Sequence, residues 1–150
     1  MQQYSFLNYV TTINGVPVTG WAEGDDVIQV SRREDAFADN VGADGKMIMY
    51  QTANRSGEIT FKLQQQGEGN ILLNALYAQQ EALRGQNALV TITLTNIADP
   101  LDSVLGANCY VTKPADITRG TGVNSQEWTL IAETLVLSYG TRPVGLPAIP

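Results

Sequence analysis

The sequence predicts a mainly β fold, an antiparallel β-barrel or sandwich with one flanking α-helix. Seven or so short segments are rich in β-branched and aromatic residues, and several alternate apolar with polar positions. One mid-chain stretch, residues 69–85, carries apolar residues at helical spacing. No βαβ alternation, internal repeat or linker interrupts the 150 residues, so one domain over 1–150 is expected.

Residues 4–13 (YSFLNYVTTI) read as the first strand, and Asn14-Gly15 as a hairpin turn after it. Residues 27–33 (VIQVSRR) form a second strand, and the acidic run 34–45 reads as a long loop without periodicity. In residues 46–52, Met47, Met49 and Gln51 share one face, and Ile48 and Tyr50 the other. Residues 58–63 place Ile59, Phe61 and Leu63 inward, with Glu58, Thr60 and Lys62 on a polar face that is wet or lines something. The intervening ANRSG is expected to join these two strands as a hairpin.

The helix is expected to start with Asn70 as N-cap and to stop at Gly85. Its core stripe would be Ile71, Leu72, Ala75, Leu76, Ala82 and Leu83, with Leu73 and Tyr77 lying off it. Residues 88–96 alternate Val90, Ile92 and Leu94 against Thr91, Thr93 and Thr95. Residues 105–113 and the long run 127–139 complete the strands. The run 127–139 is apolar on both faces, which predicts a central position or cover by a neighbour. Residues 1–3 form an N-terminal segment, and the Pro- and Gly-rich residues 140–150 read as an arm.

Composition narrows function. A net charge of −6 gives no basic footprint for nucleic acid. The chain has no histidine, hence neither the usual general base nor the commonest metal ligand. Its single cysteine, Cys109, permits no intrachain disulfide or CxxC site and reads as a small buried hydrophobe. Neither a signal peptide nor a membrane span is legible, so synthesis in the cytosol without a cleaved leader or membrane anchor is expected.

Chemical motifs fail at named positions. As a phosphate loop, GADGK has Asn40 where the first glycine belongs and Met47 where Ser or Thr would hold magnesium. As a calcium loop, Asp39, Val41 and Ala43 supply one carboxylate, and no glutamate closes the loop. In GEGNIL, Leu72 replaces the third glycine of a dinucleotide fingerprint, and Glu68 would oppose the pyrophosphate. The pairs Asp25-Asp26 and Glu34-Asp35 point to opposite faces if on strands and read as solvated charge. No cofactor, metal or enzymatic activity is expected.

Residues 4–15 (YSFLNYVTTING), 40–65 (NVGADGKMIMYQTANRSGEITFKLQQ) and 70–77 (NILLNALY) together resemble the tail tube proteins of contractile-tailed bacteriophages. Such proteins share a YSF strand, a GADG loop, an SG-x-[IV]-T-[FV]-x-L strand and an N-x-x-L-x-x-L helix, here at 4–6, 42–45, 56–63 and 70–77. The resemblance covers essentially the whole chain. It implies a structural virion protein that assembles as hexameric rings stacked into a tube through which DNA passes. The implied partners are further copies of itself, the tail sheath, baseplate and tail-terminator proteins, and the tape-measure protein in the lumen. Assembly in the host cytoplasm into the phage tail follows from the same resemblance. On this reading residues 34–56 extend as an inter-ring loop and hairpin. Its contact residues would be Asp39, Asn40, Val41, Gly42, Asp44, Lys46, Met47, Tyr50 and Arg55, with Glu58, Thr60 and Lys62 as the lumen or wet face. Two alternatives stand beside it: the ring protein of a type VI secretion system, and a monomeric β-sandwich that binds a small ligand. The sandwich would need an exposed aromatic platform, whereas Trp21, Trp128 and the tyrosines are scattered over strands and suit a core.

Overall fold

The computed structural model describes residues 5–86, 88–97 and 99–139. After a short 3₁₀ turn at Phe6–Asn8, the chain forms β1 (Tyr9–Ile13), β2 (Val16–Pro17), β3 (Ile28–Arg32), β4 (Phe37–Val41), β5 (Met47–Gln51) and β6 (Gly57–Gln64). The helix α1 (Glu68–Ala82) follows, then β7 (Val90–Asn96), β8 (Asp99–Val111) and β9 (Ser125–Tyr139). Seven strands make one antiparallel sheet in the order β2-β1-β7-β8-β9-β6-β3, while β4 and β5 pair only with each other. The edge strands β2 and β3 do not pair, so the sheet is open and curls like a sandwich rather than closing as a barrel. Residues 1–3 and 140–150, expected as terminal arms, lie outside the described residues.

Alternation builds the core. Rows of directly opposed residues face inward: Ile13, Ile92, Gly106 and Leu135 in one, Val30, Ile59 and Leu130 in another, Ile28, Phe61 and Trp128 in a third. Most of these are buried, and together with Leu63, Leu73, Cys109 and Val111 they form one cluster. Burial pushes the Cys109 thiol up to about 11. Native protein at pH 8 should therefore resist alkylation by iodoacetamide, with one equivalent modified after denaturation; native modification at the unfolded rate would contradict the packing.

The first hairpin forms as its residues require, with Asn14 and Gly15 both at positive φ and Ile13 opposite Val16. The two-faced run in β9, which lies inside the sheet between β8 and β6, also has a local cause. Asn108 adopts φ 54 and makes a bulge in β8, where Val90 opposes Cys109 but Ile92 opposes Gly106. Beyond the bulge the inward residues change parity, from Val104 and Gly106 to Cys109 and Val111. β9 changes in step, from Leu135 and Leu137 to Ala132, Leu130 and Trp128. The inner face thus switches parity; Ile131 at the switch is buried on the other side, and Val136 is left exposed outside.

The helix corrects two further expectations. Its N-cap is Gly67, and Asn70 lies one turn inside, accepting from Trp128 Nε1 at 2.9 Å and donating to the Gln64 carbonyl at 2.6 Å. Leu73 is fully buried while Ile71 is 72% exposed, so the inward face runs through Gly69, Leu72, Leu73, Leu76, Tyr77 and Gln80. That spacing is i, i+3, i+4, i+7, i+8, i+11, the stripe a helix presents to a core. Gln80 fixes the far end by donating to the Val111 carbonyl at 2.8 Å and accepting from its N–H at 3.0 Å.

Candidate functional site

The chain between Arg33 and Ser56 leaves the main sheet as a separate ribbon. The expected loop at 34–45 is in fact half of it: β4 pairs with β5, from Phe37 opposite Gln51 to Val41 opposite Met47. The ANRSG segment is no hairpin turn either, since β6 pairs with β3 and β9 and not with β5. β3–β4 and β5–β6 instead run as two arms of one long hairpin, and the ladder slips by one residue where they cross 33–36 and 52–56. Arg33 N–H bonds to the Ser56 carbonyl at 3.1 Å, and Thr52 N–H to the Ala36 carbonyl at 2.8 Å. A polar hinge pins that slip. Asn54 Nδ2 donates to Glu34 at 2.8 Å, and Thr52 Oγ1 to the Asp35 carbonyl at 2.6 Å. Arg55 Nη1 donates to the Thr52 carbonyl at 2.7 Å.

GADGK makes the ribbon's tip. Gly45 N–H bonds to the Gly42 carbonyl at 2.9 Å and Gly42 N–H to the Lys46 carbonyl at 2.8 Å. Gly45 sits at φ +85, the left-handed step with which the turn re-enters a twisted ladder. Asp44 Oδ1 accepts from Lys46 N–H at 3.2 Å, so this aspartate braces the turn.

Eight of the nine residues expected at a contact, Asp39, Asn40, Val41, Gly42, Asp44, Lys46, Met47 and Tyr50, share this ribbon. Arg55 is apart from them, turned into the hinge. Opposed residues share a face, so Phe37, Asp39, Val41, Met47, Met49 and Gln51 form one side and Ala38, Asn40, Ile48 and Tyr50 the other. Phe37, Ile48 and Met49 stand on the same ribbon but are absent from the expected contact residues, although Ile48 and Met49 are legible as strand residues. Phe37 and Val41 do alternate, but Asp39 between them interrupts the apolar signal, and β4 carries a second polar residue in Asn40. Every residue from Asp39 to Gln51 is exposed, with Met47 at 63% and Ile48 and Met49 at 69%. A two-stranded ribbon that covers neither of its apolar faces has no packing of its own to stabilise it.

Glu58, Thr60 and Lys62 lie on the outer face of the main sheet. There Glu58 opposes Ser31 and Ile131, Thr60 opposes Gln29 and Thr129, and Lys62 opposes Glu127. The outer rows continue with Thr12, Thr93, Thr95, Ser103 and Ser138, interspersed with the exposed Val10, Leu105 and Val136. Lys62 Nζ stands 2.8 Å from Asp26 Oδ2, with side chains 27% and 54% exposed, so water screens the pair. Its hydrogen bond to Lys62 holds the Asp26 carboxyl below its usual value, and the same bond raises Lys62. A lowered carboxylate contributes above its ordinary value near 3.8 and loses that contribution as pH falls through the lowered one. The raised ammonium contributes below 10.5 and loses its share as pH climbs past its folded value. The pair is therefore intact across neutral pH. Carboxyl NMR should show Asp26 titrating at the ordinary aspartate position in Lys62→Met; an unchanged midpoint would contradict the bond.

A third feature is an aromatic groove at the open side of the sheet, about 740 Å³ in volume, lined by Phe6, Tyr9, Trp21 and Tyr139 with Ile28 and Leu137. Trp128 is a core residue as expected, but Trp21 is only half-buried and forms part of this wall. Among the described residues, no group of three or more Cys, Asp or Glu could hold a metal ion. No helix among them is long and apolar enough to cross a membrane.

An open, curled antiparallel sheet, one clasped helix and a projecting ribbon with exposed apolar side chains define a mainly β fold that leaves large surfaces uncovered. The family model described as "Bacteriophage PhiTE tail tube protein" matches residues 1–136, and the chain belongs to that family of phage tail proteins. No curated protein matches it in sequence. Among solved structures, the anti-feeding prophage cap, a tube-terminating cap, shares 18% identity at a TM-score of 0.61 over 93% of this chain and 95% of that one. A chain of an extracellular contractile injection system in its extended sheath-tube complex shares 15% identity at 0.61, over 91% and 92%. The sheath/tube terminator of such a system shares 14% at 0.58, over 92% and 98%. At these identities the likeness concerns the fold.

Proposed function

We propose that this chain is the subunit of the inner tail tube of a contractile-tailed phage, assembling into hexameric rings that stack and let DNA pass. The observation that carries the reading is the β4–β5 ribbon, whose two apolar faces are exposed in the isolated chain. On this reading Asp39, Asn40, Val41, Gly42, Asp44, Lys46, Met47 and Tyr50 meet the next ring, joined by Phe37, Ile48 and Met49, while Arg55 holds the hinge. The open sheet edges give rings a way to close by lateral contact between copies. The outer sheet face with Glu58, Thr60 and Lys62 supplies the lumen wall: short of positive charge, with Lys62 set against Glu127, it lets phosphate slide without sticking. The sheath, baseplate and tail-terminator proteins and the tape-measure protein are the further partners, assembly takes place in the host cytoplasm, and the role is non-enzymatic. Residues 1–150 act as one tube domain.

The fold shared with a tube cap and a terminator supports one second reading, a subunit that ends the tube instead of forming its length. Negative-stain microscopy of the concentrated chain separates these. Stacked rings of indefinite length support the tube subunit, single rings support the end piece, and monomers at every concentration sink both.

A further inference from the structure

The groove at the open side of the sheet is not accounted for by ring stacking through the ribbon. Its aromatic wall is continuous with the core: Phe6 stacks on Tyr9 at 6.3 Å and meets Trp21 edge-on at 5.8 Å, and Trp21 meets Phe61 at 5.6 Å. Its rim is acidic, with Glu23, Asp25 and Asp102, and its described lining contains no lysine or arginine. Asp102 is fixed by Tyr9, whose hydroxyl donates to Oδ2 at 2.5 Å, and by Asn96 Nδ2 at 3.3 Å. A trough of aromatic rings beside carboxylates suits an extended, proline-rich segment that carries an arginine. Such a segment is already ordered in the polyproline conformation, so it stacks on rings at low entropic cost, and its guanidinium pairs with carboxylates and ring faces.

The chain itself contains one segment of that composition. Residues 140–150, GTRPVGLPAIP, carry Pro143, Pro147 and Pro150, four aliphatic residues and a single charge, Arg142. We infer that the groove receives residues 140–150 of a second copy, laid as an extended segment with Arg142 against the acids of the rim. In polyproline geometry eleven residues reach about 34 Å, enough to cross from one copy to a neighbour. The ribbon fits the groove less well, because Asp39 and Asp44 outweigh Lys46 and would meet the same acids. The segment of the same copy is disfavoured by direction. Glu23 and Asp25 flank Lys62, which opposes Glu127 at the start of β9, whereas β9 ends at Tyr139 opposite Asp102 and runs away from those two acids. Dependence on the tube reading is limited to the identity of the partner, a further copy of this chain.

Full-length chains carrying Asp25→Cys and Gly145→Cys, mixed and mildly oxidised, test the inference on a non-reducing gel. Cys109 is buried and stays out of the exchange. A mixed covalent dimer is expected, its yield falling at least about fivefold when Arg142→Glu is added to the second chain and recovering when Glu23→Lys is added to the first. Absence of the dimer overturns the inference, as does a dimer indifferent to both charge changes. So does cross-linking confined to single chains that carry both cysteines, which would place the segment in its own copy's groove. Microscopy of the same samples keeps the two claims apart. Tubes without the cross-link refute this inference alone, and the cross-link without rings or tubes refutes the tube reading alone.

Discussion

Met47→Glu combined with Met49→Glu should raise the concentration needed for assembly by about 10²- to 10⁴-fold while leaving the monomer folded. Both side chains stand on one face of the ribbon, opposite Val41 and Asp39, at 63% and 69% exposure. They contribute almost nothing to the isolated fold and a great deal to any surface that covers them. Burying a methionine yields about 1.5–3 kcal/mol, so two give about 3–6 kcal/mol per contact, at tenfold in equilibrium per 1.4 kcal/mol. Buried carboxylates add a further penalty, and Asp39 beside them adds like-charge repulsion. Sedimentation velocity across a concentration series reads the shift, and circular-dichroism melting checks the monomer. Unchanged assembly would show that this face stays wet in the tail.

Gly69→Val is expected to destabilise the monomer by about 3 kcal/mol, a fall in Tm of roughly 6–12 °C. A Cβ at residue 69 would stand 2.6 Å from the Thr19 carbonyl oxygen and 2.9 Å from Leu63 Cδ1. The carbonyl is backbone and accepts the Gly69 N–H at 3.1 Å, so the helix must retreat. Retreat loosens the Asn70–Trp128 bond and withdraws Leu73 from the cluster. Glu68→Ala, on the exposed side of the same turn, should stay within about 0.5 kcal/mol of the parent. A midpoint for Gly69→Val equal to that of Glu68→Ala would contradict the close approach.

These two sites mark what local sequence shows and what it hides. Strands such as β6 and β7 were legible because each alternates around a single inner face, as with Val90, Ile92 and Leu94 or Ile59, Phe61 and Leu63. The helix was legible as a helix, yet its inward face was misassigned: both Ile71 and Leu73 are apolar, and only the approach of Gly69 to Thr19 decides which points into the core. The same approach explains GEGNIL, whose glycines serve packing instead of a phosphate. The β9 run looked two-faced because the bulge at Asn108 belongs to another strand.

The ribbon was the hardest part to read. KMIMYQ and EITFKL look like neighbours in a hairpin, but they are successive halves of one arm, with the hinge of Glu34, Thr52 and Asn54 between them. Local propensity names a strand without naming its partner, and β4 was masked by Asp39 and Asn40. The GADG motif marks the tip, where Gly42, Asp44 and Gly45 close the turn. The aromatic groove was invisible because Phe6, Trp21 and Tyr139 lie far apart in sequence and meet only where the sheet stays open.

The most direct test of the central claim is a cryo-electron-microscopy reconstruction of the assembled protein, asking where Phe37–Val41 and Met47–Gln51 lie. The account predicts sixfold rings stacked into a tube, with the ribbon of each subunit buried against the adjacent ring and Glu58, Thr60 and Lys62 facing the channel. A reconstruction with the ribbon free in solvent, or with rings that stack without touching it, would contradict it.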